Sequence, residues 1–227
     1  SKYGRCSNGV CEEVRINNDF ASKNKHLVTA EQIINTSYGV EVLLKDGTSY
    51  QTSTNVKIDK QRPIIYANEI EIDRENEWTA GNKEVVIKAS DGQGSGIYGY
   101  SIRKDNADCK TASYEEHHEE SYKKSLDEGR YYVCVRDNVG NLSEDRSSIT
   151  FTIDKIDREE PRVTVKNDPL TLGNVDYEFK DNLNVTWGPS GEGSISCNPA
   201  VSKKTGVYTV TCDVTGNNGL SVRRVCK

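Results

Sequence analysis

The residues of this chain best suited to chemistry fall into a few short runs. Glu115-Glu-His-His-Glu-Glu120 gathers two of the three histidines, His117 and His118, among four carboxylates, a composition that suits a transition metal. Adjacent histidines on a helix point in different directions, however, and no partner stands at four-residue spacing, so a solvated helix is the expected role. Asp154-Lys-Ile-Asp-Arg-Glu-Glu160 supplies four carboxylates, Asp154, Asp157, Glu159 and Glu160, as weak calcium candidates. Calcium takes six to eight oxygens converging from several segments, and a charged hinge is the reading preferred over a metal site. Ser90-Asp-Gly-Gln-Gly-Ser-Gly96 is rich in glycine, but no Gly-Lys-Ser/Thr follows it. It reads as a strand-joining loop rather than a phosphate cradle. With His26, His117 and His118 as the only histidines and no Gly-x-Ser-x-Gly elbow, no nucleophilic machinery is recognisable. The expectation is no enzyme, no cofactor and no resident metal, with a pair of acids from different strands as the one glycosidase-like alternative.

Seven cysteines and no methionine point to disulfides in an oxidising compartment, since no cysteine pair has the C-x-x-C spacing common in zinc sites. Cys6 and Cys11 flank Asn8-Gly9, a strong signal for a type I′ hairpin that sets the two cysteines face to face. Cys109 is the in-module partner expected for Cys134, closing 134 − 109 = 25 residues, and Cys197 with Cys212 makes a similar pair. Cys226 is left over, as a free thiol, a competitor for Cys197, or the partner of a cysteine beyond this fragment. The sequons at Asn35, Asn141 and Asn184 are read as chance.

The elements that must carry these residues are strands. Glu84–Ala89 and Ile97–Ile102 are short β-rich runs, and Ile149, Phe151 and Ile153 alternate with polar residues as in a strand with one buried face. One stretch breaks the pattern. Ser113 and Glu116 have capping-box spacing, and Glu119–Lys123 and Glu120–Lys124 stand four apart, so the spacing predicts a helix over 113–126. A block of strand, Asp/Gly/Asn turn, strand and Ile-Asp-Lys before a proline recurs, ending at Lys60 and Lys155. The two Ile-Asp-Lys copies are offset by 153 − 58 = 95 residues, the length of one immunoglobulin-like sandwich. Boundaries are expected near Gln61 and Asp157, giving modules 1–60, 61–157 and 158–227. Tyr132, two residues before Cys134, has the spacing of a tyrosine corner.

The string Val85-Val-Ile-Lys-Ala-Ser-Asp-Gly-Gln-Gly-Ser-Gly-Ile97, followed by Gly129-Arg-Tyr-Tyr-Val-Cys-Val-Arg-Asp-Asn-Val-Gly-Asn141, resembles the bacterial immunoglobulin-like repeats of cell-surface and adhesin proteins. The third module, with Ile195-Ser-Cys-Asn-Pro199 and Gly206-Val-Tyr-Thr-Val-Thr-Cys212, more faintly resembles hyalin repeats. The fold expected is all-β, tandem immunoglobulin-like β-sandwiches with a short helix inserted in the middle one. The resemblance implies an extracellular adhesive or structural segment at the cell surface, meeting a host or cell-surface protein or glycan, and it supplies no catalytic residue. The alternative is a carbohydrate-binding sandwich, which needs exposed aromatics from the 12 tyrosines, Trp78 and Trp187. A net charge of −5 with scattered basic residues argues against nucleic acid. No apolar run reaches membrane-span length, and the expected state is monomeric. Ser1-Lys2-Tyr3 lacks a signal peptide's apolar core and is read as the start of a mature fragment.

Overall fold

The computed structural model describes residues 2–7, 10–15, 33–43, 46–104, 108–143, 149–170, 177–199, 201–202, 207 and 209–226. Among them the architecture is all-β, with three short 3-10 turns and no α-helix. At the N-terminal side β1 (Lys2–Ser7) pairs antiparallel with β2 (Val10–Arg15), and β3 (Ile33–Leu43) pairs with β4 (Ser49–Asp59). The register sets Cys6 opposite Cys11; their side chains, the Asn8-Gly9 turn and His26 lie outside the described residues.

The middle of the chain builds two sheets. One joins β5 (Ile64–Ile65), β6 (Glu71–Ile72), β7 (Lys83–Ser90) and β10 (Ser121–Leu126); the other runs in the order β12-β11-β8-β9, from β8 (Ile97–Arg103), β9 (Glu115–Glu116), β11 (Gly129–Asp137) and β12 (Thr150–Ile153). Period-2 burial decides which residues face inward. Val85, Ile87 and Ala89 on β7 meet Tyr100, Tyr131, Val133, Val135, Phe151 and Ile153 from the facing sheet in one core. Tyr100 and Tyr122 stack across it with centroids 4.9 Å apart. Burial of the Tyr100 phenol, with Glu120 nearby, raises its pKa to about 12. A lysine also enters this interior: Lys83 is 1 % exposed, and its ammonium donates to the carbonyls of Arg74, Glu75 and Glu77 at 2.9, 3.2 and 2.9 Å. It pins the 74–77 turn from inside.

The helix expected over 113–126 is not there. Residues 121–126 form β10, where Tyr122 and Leu126 are buried and Lys123 and Ser125 exposed, an alternation that only a strand presents to β7. Pairing with β7 overrides the local helix signals. The glutamate–lysine pairs are made across strands instead, Lys123 with Glu84 at 3.1 Å and Lys124 with Glu115. The helical structure nearby is a 3-10 turn, Cys109–Thr111, capped by the Asp108 carboxylate accepting from the Lys110 N–H.

A second, smaller core gathers Val163, Phe179, Leu183, Val210, Cys212, Val214 and Cys226. It is carried by β13 (Arg162–Val165) with β15 (Leu183–Thr186), β14 (Tyr177–Glu178) with β17 (Val201–Ser202), and the sheet β16 (Ser194–Asn198), β18 (Val210–Thr215) and β19 (Ser221–Cys226). Each core has its own staple: Cys109 is bonded to Cys134 and Cys197 to Cys212. Cys226 is a buried free thiol, its pKa pushed up by burial and by Asp168. Replacing Cys109 and Cys134 together by serine should lower the stability of the larger core by ~3–4 kcal/mol, the loop-closure value for the 25 residues enclosed. Urea unfolding of the double variant should show that loss while the transition of the 163–226 core stays in place.

Candidate functional site

Two loops of the middle region and the end of β4 meet at one point. The first loop follows β7 and begins at Asp91; the second follows Asp137, the last residue of β11; β4 ends at Asp59. One carboxylate oxygen from each of Asp59, Asp91 and Asp137 lies within 4.8 Å of the others, the one such group of three metal-ligating side chains among the described residues. Asp137 is 1 % exposed and organises its own loop. Its Oδ1 accepts the N–H groups of Val139, Gly140 and Asn141 at 3.0, 2.7 and 2.7 Å, and its Oδ2 accepts the Asn141 side-chain amide at 2.6 Å. Asp59 is half-buried; Oδ1 accepts from the Gln61 N–H at 2.9 Å and Oδ2 from the Ser95 N–H at 2.6 Å.

Asp91 is different. It is 3 % exposed, and only its Oδ2 is bonded, by the Gly96 N–H at 2.8 Å; Oδ1 is buried with no hydrogen-bond partner. Burial raises its pKa, and the charges of Asp59 and Asp137 raise it further against the opposing N–H groups of Gly96 and Ser95. Glycine lets the groups crowd together. A Cβ on Gly94 would collide with the Asp91 carboxylate and come 2.8 Å from Asp59 Oδ2. On the same loop the Ser95 hydroxyl is a second buried oxygen without a partner.

The same clasp is built again further along. Asp157 is 2 % exposed; its Oδ1 accepts from the Glu159 N–H at 3.0 Å and its Oδ2 from the Ser190 N–H at 2.9 Å, while its carbonyl accepts from the Asn218 amide at 2.9 Å. These are the bonds of Asp59, whose carbonyl accepts from the Asn141 amide at 3.3 Å. Both aspartates stand four residues before a buried proline, Pro63 and Pro161. Asp157 is therefore the counterpart of Asp59, whereas the Ile-Asp-Lys repeat had aligned Asp59 with Asp154, which is exposed. The other two carboxylates have no counterpart. Gly188 closes the turn with Gly191 as Asp91 does with Gly94, and Gly216 closes the turn with Gly219 as Asp137 does with Gly140. With one carboxylate among backbone donors, burial of Asp157 acts to raise its pKa, but the Ser190 and Glu159 hydrogen bonds outweigh it and hold it low.

The remaining expected site residues are dispersed. Glu159 and Glu160 are exposed, so the four linker carboxylates are not drawn into one group. His118 bonds Glu116 Oε1 at 2.9 Å and the Ile97 carbonyl at 3.0 Å, which raises its pKa, Glu116 acting first; His117 bonds the Ser121 carbonyl at 2.9 Å. Of the sequons, the Asn141 amide is engaged by Asp137 and Asp59. The corner-like hydrogen bond comes from Tyr131 rather than Tyr132: its hydroxyl donates to the Asp127 carbonyl at 2.9 Å, and Tyr132 lies half-buried beneath Arg130. No family model matches the chain, and neither a curated protein nor a solved structure matches it.

Asp157 is bonded on both sides, its N–H donating to the Thr79 carbonyl of the middle region at 2.9 Å and its carboxylate accepting from the 188–193 loop. Because its folded pKa is lowered, it stabilises the fold above the ordinary carboxylate pKa, and that contribution disappears as pH falls through the folded value. Asp157→Asn should cost ~1–3 kcal/mol at neutral pH and flatten the acid arm of the melting profile below about pH 4. Thermal melts between neutral and acid pH measure both.

Proposed function

We propose that this chain is a non-catalytic structural or adhesive segment of an extracellular, cell-surface protein, made of immunoglobulin-like sandwich modules in tandem. The observation that carries the reading is the repeated joint: a strand end, an aspartate, a proline four residues on, and two loops of the following core closing on the aspartate. Cores of this size need covalent support, and each has its own disulfide, which suits an oxidising compartment. Among the described residues no helix is long and apolar enough to cross a membrane.

A glycan platform is the weaker reading, because candidate aromatic faces are already covered. Arg136 lies 3.9 Å over the Tyr98 ring and Lys104 5.5 Å over Tyr131. Trp187 packs against the second core and Trp78 is half-buried, leaving Tyr50 and Tyr66 as the exposed large aromatics among the described residues. A ligand of the stalk, a host or cell-surface protein or glycan, would then meet loops rather than a sheet face.

Proline restricts itself and the residue before it to extended conformations, so the modules should stand end to end as a monomer. Small-angle scattering should give a radius of gyration well above the roughly 17 Å of a compact chain of this length. A compact profile would count against the stalk and favour modules folded around a shared surface.

A further inference from the structure

Negative charge is concentrated at the first joint in a way that the second joint avoids. Three aspartates converge where β4 meets the middle core, two of them buried at 3 % and 1 % exposure, and Asp91 Oδ1 is left without a hydrogen bond. A buried, unbonded carboxylate oxygen beside two like charges is costly unless a cation completes it. The second joint performs the same closure with Asp157 alone, the Asp91 and Asp137 positions being Gly188 and Gly216. Clasping a strand end therefore does not require three acids, and the two extra ones need a reason of their own.

We propose that Asp59, Asp91 and Asp137 form a binding site for a hard divalent cation of the calcium class, which locks the N-terminal β3–β4 pair to the middle core. The spacing suits calcium. Two ligands of one ion at ~2.4 Å lie no more than ~4.8 Å apart, and the three oxygens meet that limit, lying within 4.8 Å of one another. Magnesium keeps several waters and is seldom bound by an all-protein cage, so a group of three protein carboxylates, two of them buried, suits it less well. All the identified donors are oxygen, with no cysteine or histidine in the group, which disfavours zinc and copper. Asp91 Oδ1 is the oxygen with free capacity, while Asp137 is held by its loop and Asp59 arrives from the other element, so the ion bridges the joint instead of decorating one loop. This inference stands apart from the stalk reading: an enzyme or a glycan binder could carry the same joint.

The test is calorimetric titration of the intact chain, stripped with chelator, using calcium chloride and then magnesium chloride, paired with thermal melts. The native chain should bind one calcium with a Kd in the range of roughly 100 μM to 1 mM, as in extracellular calcium modules, and melt higher as calcium rises. Asp91→Asn and Asp59→Asn should each weaken binding at least ~10-fold, and Asp157→Asn should leave the calcium affinity unchanged. In chelator Asp91→Asn should melt no lower than the native chain, because it removes like-charge repulsion, so its loss of calcium binding cannot be assigned to misfolding. Absence of saturable calcium heat in the native chain, or an unaltered Kd in both site variants, overturns the proposal.

Discussion

The chain's small cores make its ends depend on buried carboxylates. A loop that closes one end of a two-sheet core has backbone N–H groups facing inward and little apolar surface to cover them. Asp137 answers that by accepting three successive N–H groups and a side-chain amide at one carboxylate. Once that loop is fixed, Asn138 can donate to the carbonyls of Ser95 and Gly96, which ties it to the Asp91 loop. Asn141 in turn holds the carbonyl of Asp59. Sequence, loop and joint are linked through one residue, and the entry of β4 into the middle core follows from it.

The same economy runs through the interior. Lys83 occupies a position on β7 whose neighbours Val85, Ile87 and Ala89 are wholly buried, and it survives there because three carbonyls satisfy its ammonium. The 163–226 core is leaner. It counts the disulfide-bonded Cys212 and the free thiol of Cys226 among its buried members, small sulfur side chains doing packing that larger aliphatic residues do in the bigger core. Arg158 reaches back from the second joint to Asn82 and Asp127, at 2.8 and 3.0 Å, as an exposed pair that positions more than it stabilises.

What the sequence made legible was local. The β-rich runs 84–89 and 97–102 and the alternation in 149–153 mark strands that the structure contains, and the cysteine spacing within each core marks its bridge. The 113–126 segment misled because its glutamate–lysine spacing is equally compatible with cross-strand partners, and Tyr122 and Leu126 are four apart, a separation shared by helix and strand faces. The carboxylate group was missed for a different reason. Asp59, Asp91 and Asp137 are separated by 91 − 59 = 32 and 137 − 91 = 46 residues, so only the folded topology unites them. A signal was nonetheless present: both loops pair an aspartate with glycines, and an Asp-x-x-x-Pro spacing precedes each core. The more conspicuous Ile-Asp-Lys tripeptide pairs Asp59 with Asp154, whereas the hydrogen bonds of the joint pair it with Asp157.

The central claim is that the two joints share a clasp but differ in their need for a cation, and amide hydrogen exchange by NMR tests it in one sample. The amides to follow are Ser95 and Gly96 at the first joint and Glu159 and Ser190 at the second, all of which donate to the aspartates. On passing from chelator to excess calcium, Ser95 and Gly96 should exchange at least ~10-fold more slowly while Glu159 and Ser190 keep their rates. Equal slowing at both joints, or none at either, would contradict the account.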